Sequence, residues 1–113
     1  KGVKVIGGSD SPSSPANPFW GIYAAVTRKD QDGKPEGGWF PENSISREAA
    51  LRTYTDWAAF GQFEEDIKGT IEKGKLADFV VLDRDIMECP VDEIKDICVL
   101  ETVSGGKCVY ESN

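Results

Sequence analysis

A chain of 113 residues suits one ordinary domain with a modest core. Apolar residues make up 39% and charged residues 29%, with three Trp, three Tyr and five Phe, which excludes the composition of a disordered chain. The net charge of −7 and the pI near 4.5 repel phosphate, which argues against nucleic acid and anionic membrane as partners.

No run approaches the ~18 apolar residues of a membrane span, and no signal peptide is visible. The chain opens on Lys1-Gly2-Val3-Lys4-Val5-Ile6, without Met and already in strand-like sequence. It is therefore expected to be cut from something longer. Val3–Ile6, a β-branched run stopped by Gly7-Gly8, predicts a buried and parallel strand, since polar alternation is absent. A Ser- and Pro-rich loop follows from Ser9 to Pro18. Phe19, Ile22, Tyr23 and Val26 recur at helical spacing, which predicts a helix over Phe19–Arg28 with Pro18 in its first turn.

Residues 29–45 form a long loop with Gly33, Pro35, Gly37, Gly38 and Pro41, which Trp39 and Phe40 are expected to pin to the surface. Arg47–Phe60 is the clearest helix: Ser46 caps it, Glu48 suits its first turn and Gly61 stops it. Its apolar stripe is Ala50, Leu51, Tyr54, Trp57 and Ala58. Beyond it the pattern becomes β-like. Ile71, Leu76 and Phe79–Leu82 read as strands broken by Gly69 and Gly74, and Asp83–Asp96 as an acidic loop with a short helix. Val99–Ser104 and Lys107–Glu111 flank Gly105-Gly106, a two-residue hairpin signal.

Three cysteines, Cys89, Cys98 and Cys108, occur without a Cys-x-x-Cys pair, and histidine is absent. That argues against a self-contained structural zinc site. Free thiols fit a reducing compartment, the cytoplasm, and are expected to serve as small core hydrophobes.

Several phrases carry a resemblance in order along nearly the whole chain. They are Gly8-Ser9-Asp10-Ser11-Pro12, Asn17-Pro18-Phe19-Trp20-Gly21-Ile22, and Ser46-Arg47-Glu48-Ala49-Ala50-Leu51 with Tyr54-Thr55. Glu64-Glu65-Asp66-Ile67-Lys68-Gly69-Thr70-Ile71, Gly74-Lys75-Leu76-Ala77-Asp78-Phe79-Val80-Val81-Leu82-Asp83 and Thr102-Val103-Ser104-Gly105-Gly106-Lys107-Cys108-Val109-Tyr110 complete the set. Together they resemble the C-terminal end of the amidohydrolase 3 family, within the metal-dependent amidohydrolase superfamily.

The resemblance implies an α/β fold: the C-terminal part of a (β/α)₈ TIM-type barrel plus part of a small β-sandwich. Residues 1–66 would be the barrel end, with Val3–Ile6 as the eighth strand, and residues 67–113 the sandwich share. It further implies that Asp10 is a catalytic residue at the C-terminal rim of the barrel. In the family this aspartate lies beside the metal, hydrogen-bonds its bound water and passes the proton to the leaving nitrogen. Asp10 would thus belong to the metal site in the parent protein only. Local sequence taken alone reads it as a turn residue, because Ser-Asp-Ser-Pro is also good turn chemistry.

The family draws its metal ligands from histidines that this chain lacks, so the isolated chain is expected to hold no stoichiometric zinc and to be inactive. The parent would use a divalent metal, zinc by expectation, to hydrolyse a non-peptide carbon–nitrogen bond in a small amide or cyclic amide. Of the three tryptophans, Trp39 is the candidate substrate contact and Trp57 a core residue.

Other motifs are weaker. Gly7-Gly8-Ser9 lacks phosphate-loop spacing, Asp30-Gln31-Asp32-Gly33 reads as a turn rather than a calcium loop, and Ser9 and Ser11 have no histidine base. The alternative reading is a non-catalytic interaction module that pairs through its β half. In either case, strands without neighbours predict self-association.

Overall fold

The computed structural model describes residues 2–113. It is a mixed α/β structure with a three-stranded antiparallel sheet. Helix α1 spans Pro18–Thr27. Asn17 caps it by accepting from the Phe19 amide at 3.0 Å, and Pro18 takes the first-turn position that needs no N–H. Arg28 ends it in the left-handed conformation, its amide donating to the Ala24 carbonyl.

The second helical stretch divides in two. Helix α2 spans Arg47–Tyr54 and helix α3 spans Asp56–Gly61. Ser46 caps α2 as expected, its side chain accepting from the Ala49 amide. The break at Thr55 corrects the single predicted helix, and it has a local cause. The hydroxyls of Thr53 and Thr55 donate back to the Ala50 and Leu51 carbonyls, and such back-bonding bends helices. The break also moves the apolar stripe. Ala50, Thr53 and Ala59 are buried, whereas Trp57 is only half-buried, with Arg52 about 5.2 Å from its ring. Arg52 and Asp56 form a two-pronged ion pair, and that hydrogen bonding holds the Asp56 carboxyl below its usual range.

Strands β1 (Phe79–Leu82), β2 (Val99–Ser104) and β3 (Lys107–Glu111) pair in that order. The β2–β3 turn needs positive φ at both central residues, and Gly105 (φ 57°) and Gly106 (φ 77°) supply it. Asp78 then ties the hairpin tip to the start of β1. Its side chain accepts from the Gly105 amide at 2.7 Å, while the Gly106 amide donates to the Ala77 carbonyl at 3.0 Å.

The core is drawn from both ends of the chain. Phe19, Ile22 and Tyr23 of α1 and Ala50 of α2 pack with Ile86, Cys89, Ile94 and Ile97 from the connection between β1 and β2. That connection contains a 3-10 helix, Val91–Asp96, whose Ile94 is fully buried against α1. Polar bonds edge the same contact. Trp20 Nε1 donates to the Lys95 carbonyl and the Tyr23 hydroxyl to Asp92. Burial, and then that bond to Asp92, pushes the Tyr23 phenol up. Arg47, at the start of α2, donates through Nη1 to the carbonyls of Ile86, Met87 and Cys89 at 3.1, 3.1 and 2.7 Å. One guanidinium therefore fixes the connection to the helices.

Three further expectations are corrected. Val3–Ile6 is extended but unpaired among the described residues, and Val3, Val5 and Ile6 are exposed, because a strand needs a neighbour to form a ladder. Ile71 and Leu76 lie in irregular segments rather than strands, and Gly69 and Gly74, both at positive φ, interrupt the stretch on either side of Ile71. Of the three free thiols only Cys89 is buried; Cys98 and Cys108 are exposed, so one of the three serves the core.

Candidate functional site

Asp10 stands at the end of the extended N-terminal segment. That segment is anchored at three successive points to α2 and α3. Lys4 Nζ lies 3.5 Å from the centre of the Phe60 ring, the Ile6 side chain sits against Gly61, and the Gly7 amide donates to the Thr53 carbonyl at 2.9 Å. Three residues later, Asp10 has φ 52°, a conformation that Asp tolerates better than most residues. Its carbonyl accepts from the Ser13 amide at 2.8 Å, closing a tight turn. The backbone thus makes the turn that the Ser-Asp-Ser-Pro phrase suggests, and the residue as a whole is exposed.

Trp39 lies on the loop between α1 and α2, and the way that loop is held differs from expectation. Trp39 and Phe40 are 61% and 53% exposed, so they do not pin it by burial. Reciprocal hydrogen bonds do so instead. The Trp39 amide donates to the Arg28 carbonyl at 2.8 Å, and Arg28 Nε donates to the Trp39 carbonyl at 3.1 Å. Gly38, at φ 88°, allows this approach, since a side chain there would run into the Thr27 carbonyl. The two rings meet edge to face, centroids 4.9 Å apart. Nearby, Asp30 accepts from the amides of Asp32 and Lys34, which makes Asp30–Gly33 the turn its sequence suggested.

No hydrogen bond or ring contact joins Asp10 to Trp39 among the described residues. Two shallow grooves lie elsewhere, one beside Trp20, Tyr23 and Lys29, the other between the start of α1 and the sheet. The family resemblance implies a divalent metal. Among the described residues no three His, Cys, Asp or Glu come together to hold one. A single exposed carboxylate does not supply the three or four donors zinc requires, so these residues do not fit the metal by themselves.

The sequence did not announce the contacts that anchor the segment before Asp10. Gly7, Gly21, Thr53 and Tyr54 meet here although they come from three separate segments. The only signal in the sequence was the presence of glycine on either side of the Asp10 loop.

The amidohydrolase family matches residues 1–110. The chain belongs to the amidohydrolase family. An N-substituted formamide deformylase of Arthrobacter pascens is 34% identical to this amidohydrolase segment over 110 residues, 97% of the segment and 20% of the deformylase. The putative amidohydrolase YtcJ of Bacillus subtilis (strain 168) is 31% identical over 113 residues, all of the segment and 21% of that protein. Protein LONG AFTER FAR-RED 3 of Arabidopsis thaliana is 37% identical over 105 residues, 91% of the segment and 17% of that protein. The segment therefore spans about one fifth of the length of the curated relatives it matches. No solved structure matches it significantly. Among the described residues no helix is long and apolar enough to cross a membrane.

Proposed function

We propose that this chain is the C-terminal share of a larger hydrolase that cleaves a non-peptide carbon–nitrogen bond in a small amide or cyclic amide. The family match across residues 1–110 carries the reading. N-substituted formamides are a substrate class to try first, because one relative is named for them. Asp10 would be the catalytic carboxylate, exposed at the end of an extended segment that packs on helices along one side. Val3–Ile6, which has no strand partner among the described residues, would complete a barrel wall with strands from the rest of the protein, and β1–β3 a small sandwich. Trp39 would contact substrate from its exposed loop. A divalent metal, zinc by expectation, would have to be held by residues outside this chain, which by itself would be inactive. The free thiols support a cytoplasmic location.

The test is to express the complete protein and assay it against N-substituted formamides, other small amides and cyclic amides, following release of amine or acid. Turnover of one of these classes is the expected result. Hydrolysis confined to phosphate esters or glycosides would overturn the reading.

The isolated chain would self-associate. Both outer edges of the sheet are unpaired among the described residues, and Val80, Val81, Val109 and Tyr110 stand exposed on it. Open ladders and uncovered apolar faces seek partners. Sedimentation of the 113-residue chain at micromolar concentration should give a dimer or larger species. A monomer throughout that range would show that these edges are adequately protected by charge.

A further inference from the structure

Tyr54 is the last residue of α2, and its ring lies between two glycines from separate segments. A methyl group on Gly7 would stand 2.7 Å from Tyr54 Cε2 and 2.8 Å from Thr53 Oγ1. A methyl group on Gly21, in the middle of α1, would collide with the Tyr54 hydroxyl. Neither glycine is there for a positive φ; each is needed because the ring occupies the space a side chain would fill. Gly7 is also the residue whose amide is bonded to the Thr53 carbonyl, and it precedes Asp10 by only three positions. The ring is half-buried and packs against the core cluster, so its position is fixed by α1 and α2 rather than by the loop.

From this we infer that Tyr54 is a positioning residue for Asp10: its ring, seated on Gly21, is the surface against which the Gly7 backbone is laid, and so sets where the Asp10 turn begins. The functional meaning rests on the reading of Asp10 as the catalytic carboxylate; the packing does not. Toward Gly7 the contact is made by the ring edge, at Cε2 and Cζ, whereas the hydroxyl is the atom that stands over Gly21; the support of the Gly7 backbone therefore needs the ring and not the hydroxyl. A turn that carries a catalytic group and stands free of the core on its outer side needs such a support, since misplacement by about 1 Å can cost on the order of a hundredfold in rate.

Amide hydrogen exchange on the complete protein, followed over the peptides of this chain, separates this from a general packing role. The amides of Gly7 and Ser13 report the anchor and the Asp10 turn, and those of Ile22 and Tyr23 report the core. Tyr54→Leu should speed exchange at Gly7 and Ser13 by about tenfold or more while Ile22 and Tyr23 keep their protection. Tyr54→Phe should restore the parental pattern. Gly7→Ala, which displaces the segment from its own side, should reproduce the effect of Tyr54→Leu, and it supplies the result if the leucine variant does not fold. Unchanged exchange at Gly7 and Ser13 would overturn the inference. So would equal loosening of the core, or a phenylalanine variant as loose as the leucine one. In the complete enzyme, Tyr54→Leu should lower kcat with KM retained, and Tyr54→Phe should recover it. Full activity of an Asp10→Asn enzyme would remove the catalytic reading while leaving the exchange result standing, so the two failures are distinguishable.

Discussion

If Asp10 is the catalytic carboxylate as proposed, replacing it with Asn in the complete protein is expected to lower kcat by about 10²–10⁴-fold, the usual contribution of a positioned general acid–base group. Asparagine keeps the size and much of the hydrogen-bonding shape of aspartate but cannot take up and return a proton. It also tolerates the left-handed backbone that Asp10 adopts at φ 52°, so the turn closed by the Ser13 amide should survive. KM should therefore stay within a few-fold, which would assign the loss to chemistry rather than to binding. Ser9→Ala and Ser11→Ala serve as controls and should keep kcat within a few-fold, since neither serine has a base to activate it. The comparison is made by steady-state kinetics on whichever amide the complete enzyme turns over. An asparagine enzyme within about tenfold of the parent would leave Asp10 as a turn residue and nothing more.

The largest effect on folding is expected at Ile94. It is fully buried and reaches α1 from the 3-10 helix Val91–Asp96, packing with Phe19, Ile22 and Ile97. Ile94→Ala should cost about 2–5 kcal/mol, through lost burial and the cavity left behind. In a small domain each kcal/mol corresponds to roughly 4–8 °C in Tm. The site cannot collapse easily, because Arg47 holds the adjoining carbonyls of Ile86, Met87 and Cys89 and so keeps the connection where it is. Val109→Ala is the matched control: Val109 is 63% exposed on β3, and its loss should stay within about 0.5 kcal/mol. Urea unfolding followed by circular dichroism reads both. Equal, small losses in the two variants would mean that the shared core does not hold the helices to the β half.

These two sites were unequally visible beforehand. The turn at Asp10 was legible because Ser-Asp-Ser-Pro is local turn chemistry. Ile94 lay in an acidic stretch read as solvated loop and short helix, and nothing nearby in sequence announced that α1 would cover it. The single helix expected over Arg47–Phe60 failed for a related reason. Spacing registers apolar positions, but it does not register two threonine hydroxyls turning back onto the Ala50 and Leu51 carbonyls.

What the sequence determined by itself were the features whose causes sit within a few residues. Ser46 caps α2, Pro18 opens α1, and Gly105-Gly106 folds β2 onto β3 at the expected place. The phrases from Gly8 to Tyr110 likewise sufficed to place the chain in its family. Only the tertiary structure decided which surfaces meet: that Val3–Ile6 has no neighbouring strand among the described residues, that one cysteine of three is buried, and that Tyr54 lies between Gly7 and Gly21. Capping and turn geometry are short-range and can be read residue by residue. Burial and close approach depend on what a distant segment brings to the same space, and no local pattern encodes it.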